Sequence, residues 1–569
     1  MNVPNDVVRE TLRQIEPKLF TVLREGYRLA DLRADALAGL TVAIVALPLA
    51  MALAIASGTA PEKGLHTAII AGFLISAFGG SRVQIGGPTA AFIPVVFVVI
   101  QKFGYGGLIL CTLLAGLMLI AAGLLRLGTL MRYMPQPVIT GFTAGIAVSI
   151  FTSQIKDALG LDMGAVPAEF LPRLQAYAGH IATTNPAAVA LTVLGVGAIV
   201  FLRRRRPNWP GFLIALLACT GVTLLFALPV DTIGSRFGEL PRALPGFDFP
   251  DIPFHRTGEL LPSAFTIAFL AGVESLLSAV VADGLTGRRH RSNAELVAQG
   301  IANSASALFG GLPATGAIAR TGTNIRAGGR TPFAGMLHAL FVLVFMLVLA
   351  PWMRYVPLPA LAAVLLVVAW NISEIEHFRL TMTAPKGDRL VLLLTFGLTV
   401  FLDLTIAIEV GVVVAAFVFM FRMAEAVELG GGDGPPPAGD VAEDSEQRAR
   451  LPAGVEAFRI DGPLFFGVAS RLDEAFDQFQ VKPKVFILRM SLVPMIDASG
   501  VHALKRLRQR CRKAGTRLIV SGLRPQPAKV FRQMGLREHA GEVWIAEDFA
   551  QALRIAESLV APVPGEDQA

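Results

Sequence analysis

The sequence predicts a polytopic α-helical membrane protein of fourteen membrane segments, arranged as two inverted seven-segment repeats and followed by a small soluble α/β domain. Three observations carry this reading. Over 569 residues the chain is 53% hydrophobic and only 16% charged, with a mean hydropathy of +0.59, too apolar for a soluble protein. Two Gly/Pro interruptions, at 84–92 and 310–321, occupy equivalent places in two apolar halves. After Arg422 the composition turns polar, and from Val455 apolar residues alternate as in soluble strands.

Residues 1–34 read as an amphipathic cytoplasmic segment, with Lys18, Arg24, Arg28 and Arg33 ahead of the first span and no apolar stretch suited to a cleaved leader. The apolar segments lie near 37–56, 66–79, 89–101, 106–125, 137–155, 186–202, 210–229, 261–283, 294–309, 316–328, 333–351, 357–371, 389–403 and 404–422. An even number puts both ends of the membrane region on one side. Threading from a cytoplasmic N-terminus places Arg82, Arg126, Arg203 to Arg206, Arg288, Arg289, Arg326, Arg330, Arg379, Lys386 and Arg422 inside. The long connections at about 156–185 and 230–260 fall outside and mix both signs. The expected location is the cell inner (plasma) membrane, with both termini cytoplasmic.

This topology accounts for the net charge of +7, because the arginines sit in short loops rather than on a basic face interleaved with aromatics. No nucleic-acid partner is expected. The Arg203 to Arg206 block reads as a topology determinant that also touches anionic membrane lipid. The three cysteines, Cys111, Cys219 and Cys511, offer neither a disulfide framework nor a metal site. No cofactor is expected, and no nucleophile elbow or phosphate loop suggests an enzyme.

The interruptions carry the functional reading. They are Gln84-Ile85-Gly86-Gly87-Pro88-Thr89-Ala90-Ala91-Phe92 and Gly310-Gly311-Leu312-Pro313-Ala314-Thr315-Gly316-Ala317-Ile318-Ala319-Arg320-Thr321. Irregular backbone at membrane depth persists only where it is buried in protein or lines a watery cavity. Each interruption can restart a helix whose first N–H groups lack intrahelical partners, an end that attracts anions. They fall in the third and tenth segments, seven apart, and an odd number of spans per repeat makes the repeats, about 35–229 and 259–424, inverted. Such pairs mark the binding site of a secondary transporter.

Candidate site residues follow from that placement. Thr89, Ala90, Ala319 and Thr321 are small residues at the paired helix starts and would let backbone amides approach an anion; plain helix packing is the alternative. Arg320 carries a permanent charge near the second start and either serves the anion, pairs with Glu274 or reaches toward the inner face with Arg326 and Arg330. Glu274 lies mid-span in an apolar run, where an ionised carboxylate is costly, so a bound proton or cation is expected there. The alternative is a structural hydrogen bond between helices. The lack of other buried acids in the spans around the site leans toward a proton over sodium.

The transport region is expected to span 35–425. Residues 426–452, with Gly430 to Gly432, Pro435 to Pro437 and several acids, read as a flexible linker. A soluble α/β domain is expected over 453–561 and a disordered tail over 562–569. Ala457 to Ile460, Pro463 to Phe466, Val485 to Met490 and Thr516 to Val520 read as strands. Helices are expected at Ser499 to Lys513, with Val501, Leu504, Leu507 and Cys511 on one face, and at about 526–534 and 547–560.

These residues resemble the sulfate permease (SulP) family of anion transporters with a C-terminal STAS domain. The resemblance rests on Asp35 to Val42 with Leu47-Pro48 and Met51-Ala52, on Pro135 to Val138 with Gly141-Phe142, and on Glu274-Ser275 to Ala282-Asp283. It also rests on Asn293 to Leu296 with Gln299-Gly300, on 310–332 and on Val493 to Gly500. It implies a core domain of segments one to four and eight to eleven, a gate domain of the rest, a homodimer, and an anion site between the third and tenth helices. It places Met51 and Leu53 at that site as an apolar wall, with core packing as the other reading. The matching loop of related anti-sigma-factor antagonists carries a phosphorylatable serine, and here Ser499 keeps that place while Ala498 replaces its neighbour.

The expected function is secondary active transport of a small anion by elevator-like or rocking displacement of core against gate, with proton-coupled symport ahead of sodium coupling. A carboxylate or dicarboxylate is favoured; sulfate, bicarbonate and chloride are the alternatives. Rival readings are a nucleobase–proton symporter of the same transmembrane plan and a membrane-anchored STAS signalling protein.

Overall fold

The computed structural model describes residues 14–129, 134–164, 166–206, 209–239, 246–247, 252–402, 404–430, 451–468, 472, 476, 481–538 and 543–560. The chain divides into two compact units, Met1–Ala415 and Ala416–Ala569.

Helices lie along the expected apolar segments, the last of them running past the end of the first unit at Ala415. α1 (Lys18–Glu25) leads into α2 (Leu29–Ala56), α3 (Pro61–Phe78) and α4 (Ile93–Leu124). Gly104, with φ at 70°, bends α4 into two arms that are the third and fourth expected segments. Then come α5 (Gln136–Ser153), α6 (Ile155–Leu159), α7 (Phe170–His180), α8 (Pro186–Arg205), α9 (Gly211–Leu225) and α10 (Ile233–Phe237). The second half runs through α11 (Thr257–Thr286), α12 (Ser292–Leu308), α13 (Ile318–Arg326), α14 (Pro332–Met353), α15 (Leu358–Ile372), α16 (Ile375–Thr381), α17 (Lys386–Phe401) and α18 (Leu404–Glu425). Among the described residues, eight helices are long and apolar enough to cross a membrane.

The packing repeats itself between the halves. α12 lies on α4 as α3 lies on α14, α14 on α2 as α4 on α11, and α17 on α5 as α8 on α15. Each pair maps onto its counterpart when the two sequence halves are exchanged, as an inverted repeat requires. The helices form two groups, α2 to α4 with α11 to α14, and α5, α8 and α9 with α15 and α17. The groups meet where α9 and α15 lie against α2. Small residues set the closest approach: a Cβ on Gly300 of α12 would stand 2.5 Å from the Gly116 carbonyl oxygen of α4, so the two backbones touch. Phe201, Leu217, Leu225, Trp352 and Trp370 are exposed, an arrangement that fits a lipid solvent.

The second unit carries a five-stranded sheet. After the two short strands of the first unit, β1 (Gly86–Gly87) and β2 (Thr315–Gly316), its strands are β3 (Glu428–Gly430), β4 (Val455–Asp461), β5 (Val485–Leu492), β6 (Arg517–Ser521) and β7 (Val543–Ala546), in that spatial order. β3 runs antiparallel to β4 and the remaining neighbours are parallel. Parallel neighbours need crossovers, supplied in part by α19 (Ala498–Lys513) and α20 (Pro525–Gln533), while α21 (Phe549–Val560) follows β7. Alternation along β5 separates two cores. Phe486, Leu488 and Met490 pack with Val501, Leu504, Leu507 and Cys511 of α19, whereas Val485 and Ile487 pack with Ala552 and Ala556 of α21.

Two sequence expectations change here. The stretch Pro463 to Phe466 is no strand: Leu464 makes only an isolated bridge to Ile496, since Gly462 and Pro463 break the ladder beside β4. The linker expected at 426–452 starts later, because residues 428–430 pair with β4 as the sheet's edge strand and the apolar Val427 is buried in the same unit. Its stretch 431–450, the N-terminal residues 1–13 and the tail 562–569 lie outside the described residues.

Candidate functional site

The two interruptions cross. Gly86–Gly87 (β1) and Thr315–Gly316 (β2) pair antiparallel, Gly86 opposite Gly316 and Gly87 opposite Thr315. The Ala317 N–H donates to the Ile85 carbonyl at 3.0 Å. Each chain then enters a helix within a few residues, through a 3₁₀ turn at Ala90–Phe92 into α4 and directly into α13 at Ile318. Because the strands run oppositely, the two helices leave the crossing in opposite senses, each with its positive end at the crossing. Neither start has a side-chain cap, so first-turn N–H groups remain without protein acceptors.

Side-chain bonds from Thr315 itself, from Asn303 of α12 and from Asn324 of α13 hold the irregular backbone. Thr315 Oγ1 donates to the Ala271 carbonyl at 2.8 Å. Asn303 grips Ala314 twice, accepting from its N–H and donating to its carbonyl, both at 2.8 Å. Asn324 of α13 donates to the Val83 carbonyl at 2.8 Å. These bonds satisfy polar backbone groups that lipid could not.

Arg320 is only 3% exposed and lies beneath the first interruption. Its guanidinium donates to the Gly86 carbonyl at 3.4 Å and to the Pro88 carbonyl at 3.2 Å. Gly87, with φ at 150°, makes room: a Cβ there would stand 2.1 Å from Arg320 Nη1. No ion pair with Glu274 forms, and among the described residues no carboxylate lies within ion-pair distance of Arg320. A buried cation without a countercharge is costly, and an anion beside it would offset that cost.

The other expected residues separate. Glu274 is partly buried, and Thr89, which precedes the 3₁₀ turn, donates to its Oε2 at 3.0 Å. Ala319 is exposed and Thr89 partly so, while Ala90 is buried beside them. Thr321 faces away from the helix starts: its Oγ1 accepts from the Ile85 N–H at 3.1 Å and from Ser278 Oγ at 3.3 Å, which makes it a brace. Met51 and Leu53 are 0% and 2% exposed and belong to the main apolar core. Ser499, in the second unit, is the second residue of α19, whose start Asp497 caps by accepting from the Gly500 N–H at 2.8 Å.

One expectation fails. The spans around the site do hold other buried acids, so their absence cannot favour a proton over sodium. Glu295 of α12 is fully buried: Oε2 accepts from the Gly80 N–H at 2.9 Å, and Oε1 accepts from Ser275 Oγ at 2.8 Å and Gln299 Nε2 at 2.9 Å. Gln84 joins the cluster through a 2.9 Å bond to Ser275 Oγ. Asp35 of α2 is buried as well, accepting from the N–H groups of Arg330 and Thr331 and from the Tyr27 and Thr331 hydroxyls. Both acids lie near helix starts, where a carboxylate reads in sequence as a solvated first-turn residue. The spacing of Glu295, Gln299 and Asn303, four residues apart each time, is the signal that places them on one inward face.

A model described as the sulfate permease family matches residues 32–395, and one described as the STAS domain matches 448–552. The chain is 42% identical over 520 residues to YvdB of Bacillus subtilis (strain 168), covering 91% of this chain and 96% of that one. It is 29% identical over 548 residues to the bicarbonate transporter BicA of Synechocystis sp., covering 94% and 96%. Among solved structures, the transmembrane domain of a cyanobacterium bicarbonate transporter BicA matches with a TM-score of 0.62 and 32% identity, over 67% of this chain and 98% of that one. The murine anion transporter Slc26a9 in its inward-facing state matches with a TM-score of 0.84 over 98% and 96%, at 19% identity, and shares the fold.

Proposed function

Because this chain belongs to the sulfate permease family, as a multi-pass membrane anion transporter, we propose that it carries a small anion through the crossing of its two interrupted helices. Arg320 supplies the fixed countercharge there. The observation that carries the reading is the buried guanidinium with no carboxylate partner among the described residues. Two uncapped helix starts add partial positive charge at the same place.

Substrate approaches through Thr89 and Ala319, which keep some exposure, over the buried Ala90; Thr321, Met51 and Leu53 support the walls from behind. A carboxylate or dicarboxylate is the favoured cargo, with sulfate, bicarbonate and chloride tested beside it. Two of the relatives are named as bicarbonate transporters, at 29% and 31% identity.

Glu274 couples a proton to the anion in this reading. Its bond to Thr89 ties the acid to one of the two helix starts, so its charge state and site occupancy act on one another. An ionised Glu274 repels the anion and a protonated one does not, which makes loading cooperative. The group of α2 to α4 and α11 to α14 moves in an elevator-like step against the rest, from an inner membrane with both termini cytoplasmic.

The test is uptake of labelled succinate, bicarbonate, sulfate and chloride into proteoliposomes under an imposed inward proton gradient, with uracil as the nucleobase control. Accumulation of at least one anion above its equilibrium level, enhanced by the gradient, is expected. Uracil accumulation without anion uptake would overturn the reading.

A further inference from the structure

A cavity of about 390 Å³ opens on the face that carries the connection at 156–185. The first arm of α4 forms one wall through Phe97 and Gln101, and the end of α5 forms another through Ser153. The same helix arm starts at the crossing of the interruptions, so the cavity stands over one end of the proposed site.

Three cations and two carboxylates line it. Arg236 pairs with Asp157 at 2.7 Å, which leaves Lys156, Arg173 and Glu169. Arg173 is 8% exposed, donates to the carbonyls of Pro167 at 3.0 Å and Ala168 at 2.6 Å, and lies 5.6 Å over the Phe97 ring. Lys156 donates to the carbonyls of Met163 at 2.8 Å and Gly164 at 3.0 Å. Among the described residues neither has a carboxylate within ion-pair distance, and Glu169 does not cap the helix it precedes. The loop carbonyls fix both cations in place without neutralising them. The lining carries one surplus positive charge, and because Asp157, Asp231 and Asp162 also act on Lys156, Arg173 is its stronger anion-attracting centre.

We propose that this cavity is a second anion site, in which Arg173 and Lys156 hold a small oxyanion beside the first arm of α4. A planar guanidinium suits a carboxylate or sulfate group, and its position lets it load the site at the crossing. That loading role rests on the transport reading above; the binding itself does not.

The test uses the full-length protein in proteoliposomes carrying Ser153→Cys, whose native cysteines are all buried. The rate of thiol modification is compared for negatively charged sulfonatoethyl and positively charged trimethylammonium-ethyl methanethiosulfonates. Each rate is divided by the same reagent's rate with a small free thiol, because the reacting thiolate by itself favours the cationic reagent; on that scale the anionic reagent is expected to react about tenfold faster than the cationic one. Bicarbonate or sulfate should slow it, Arg173→Gln should remove both effects, and Arg173→Lys should keep them. Equal normalised rates for the two reagents without anion protection would overturn the site. Should Arg173→Gln fail to fold, Glu169→Gln gives the second reading: it should raise the preference for the anionic reagent, and an unchanged or smaller preference counts against the site. Protection without uptake of any anion would defeat the transport reading and leave this site standing; uptake without protection would do the reverse.

Discussion

Thr89 donates a hydrogen bond from Oγ1 to Oε2 of Glu274 across 3.0 Å, linking the residue that opens one interrupted helix to the acid in the middle of α11. A glutamine at 274 can accept the same bond through its amide oxygen while holding no transferable proton. Glu274→Gln therefore mimics the protonated acid. It should retain anion binding and counterflow exchange but lose accumulation driven by an inward proton gradient, measured side by side in proteoliposomes. Gradient-driven accumulation in that variant would move the coupling role to another group, with Glu295 the next acid to examine.

Gly87→Ala should disable the site by geometry alone. Its Cβ would fall 2.1 Å from Arg320 Nη1, and a φ of 150° strains any residue with a side chain. The guanidinium must shift off the Gly86 and Pro88 carbonyls. Anion affinity is expected to fall about tenfold or more, as for loss of a charged hydrogen bond, read by equilibrium binding of labelled bicarbonate and sulfate.

Glu295→Ala should destabilise the fold. It leaves the Gly80 N–H, Ser275 Oγ and Gln299 Nε2 in a buried pocket without their acceptor, at about 1–3 kcal/mol for each group that finds no replacement. Glu295→Gln keeps one acceptor oxygen and should lose less. Thermal unfolding in detergent, followed by monodispersity, gives the comparison; equal midpoints for wild type and Glu295→Ala would show that the cluster is not structural.

Removing the second unit should leave the first folded. Each has its own apolar core, and β3 at 428–430 belongs to the second sheet, so the cut belongs after Ala426 rather than further along. Chain 1–426 is expected to give a monodisperse detergent peak with helical circular dichroism. An aggregated or non-helical product would show that the membrane unit needs its tail.

The architecture was legible in the sequence because Gly and Pro are local signals: Gly86-Gly87-Pro88 and Gly310 to Pro313 stop a helix whatever surrounds them. The seven-segment spacing followed from counting. Direction was harder to read. Thr321 looked like a site residue because it is small and near a helix start, yet one residue along a helix turns a side chain by about 100°, and it braces Ile85 instead. His290, in the turn between α11 and α12, bonds Asp283 at 2.7 Å and Ser292 at 3.0 Å, a pairing that only the turn brings together. Glu295 and Asp35 were missed as buried acids because their partners come from residues far apart in sequence, such as Gly80 and Thr331. The contacts to Gly80 and Thr331 leave no local pattern, and only the four-residue spacing of Glu295, Gln299 and Asn303 points inward.

As the countercharge for a bound anion, Arg320 should set anion affinity, and equilibrium binding of labelled bicarbonate and sulfate to purified Arg320→Gln measures that. Removing an unpaired buried charge relieves a desolvation cost, so the thermal midpoint of the anion-free variant should hold or rise. Anion affinity should meanwhile fall about tenfold or more. Unchanged affinity for both anions, with a lowered midpoint, would contradict the account and make Arg320 a structural tie to the Gly86 and Pro88 carbonyls.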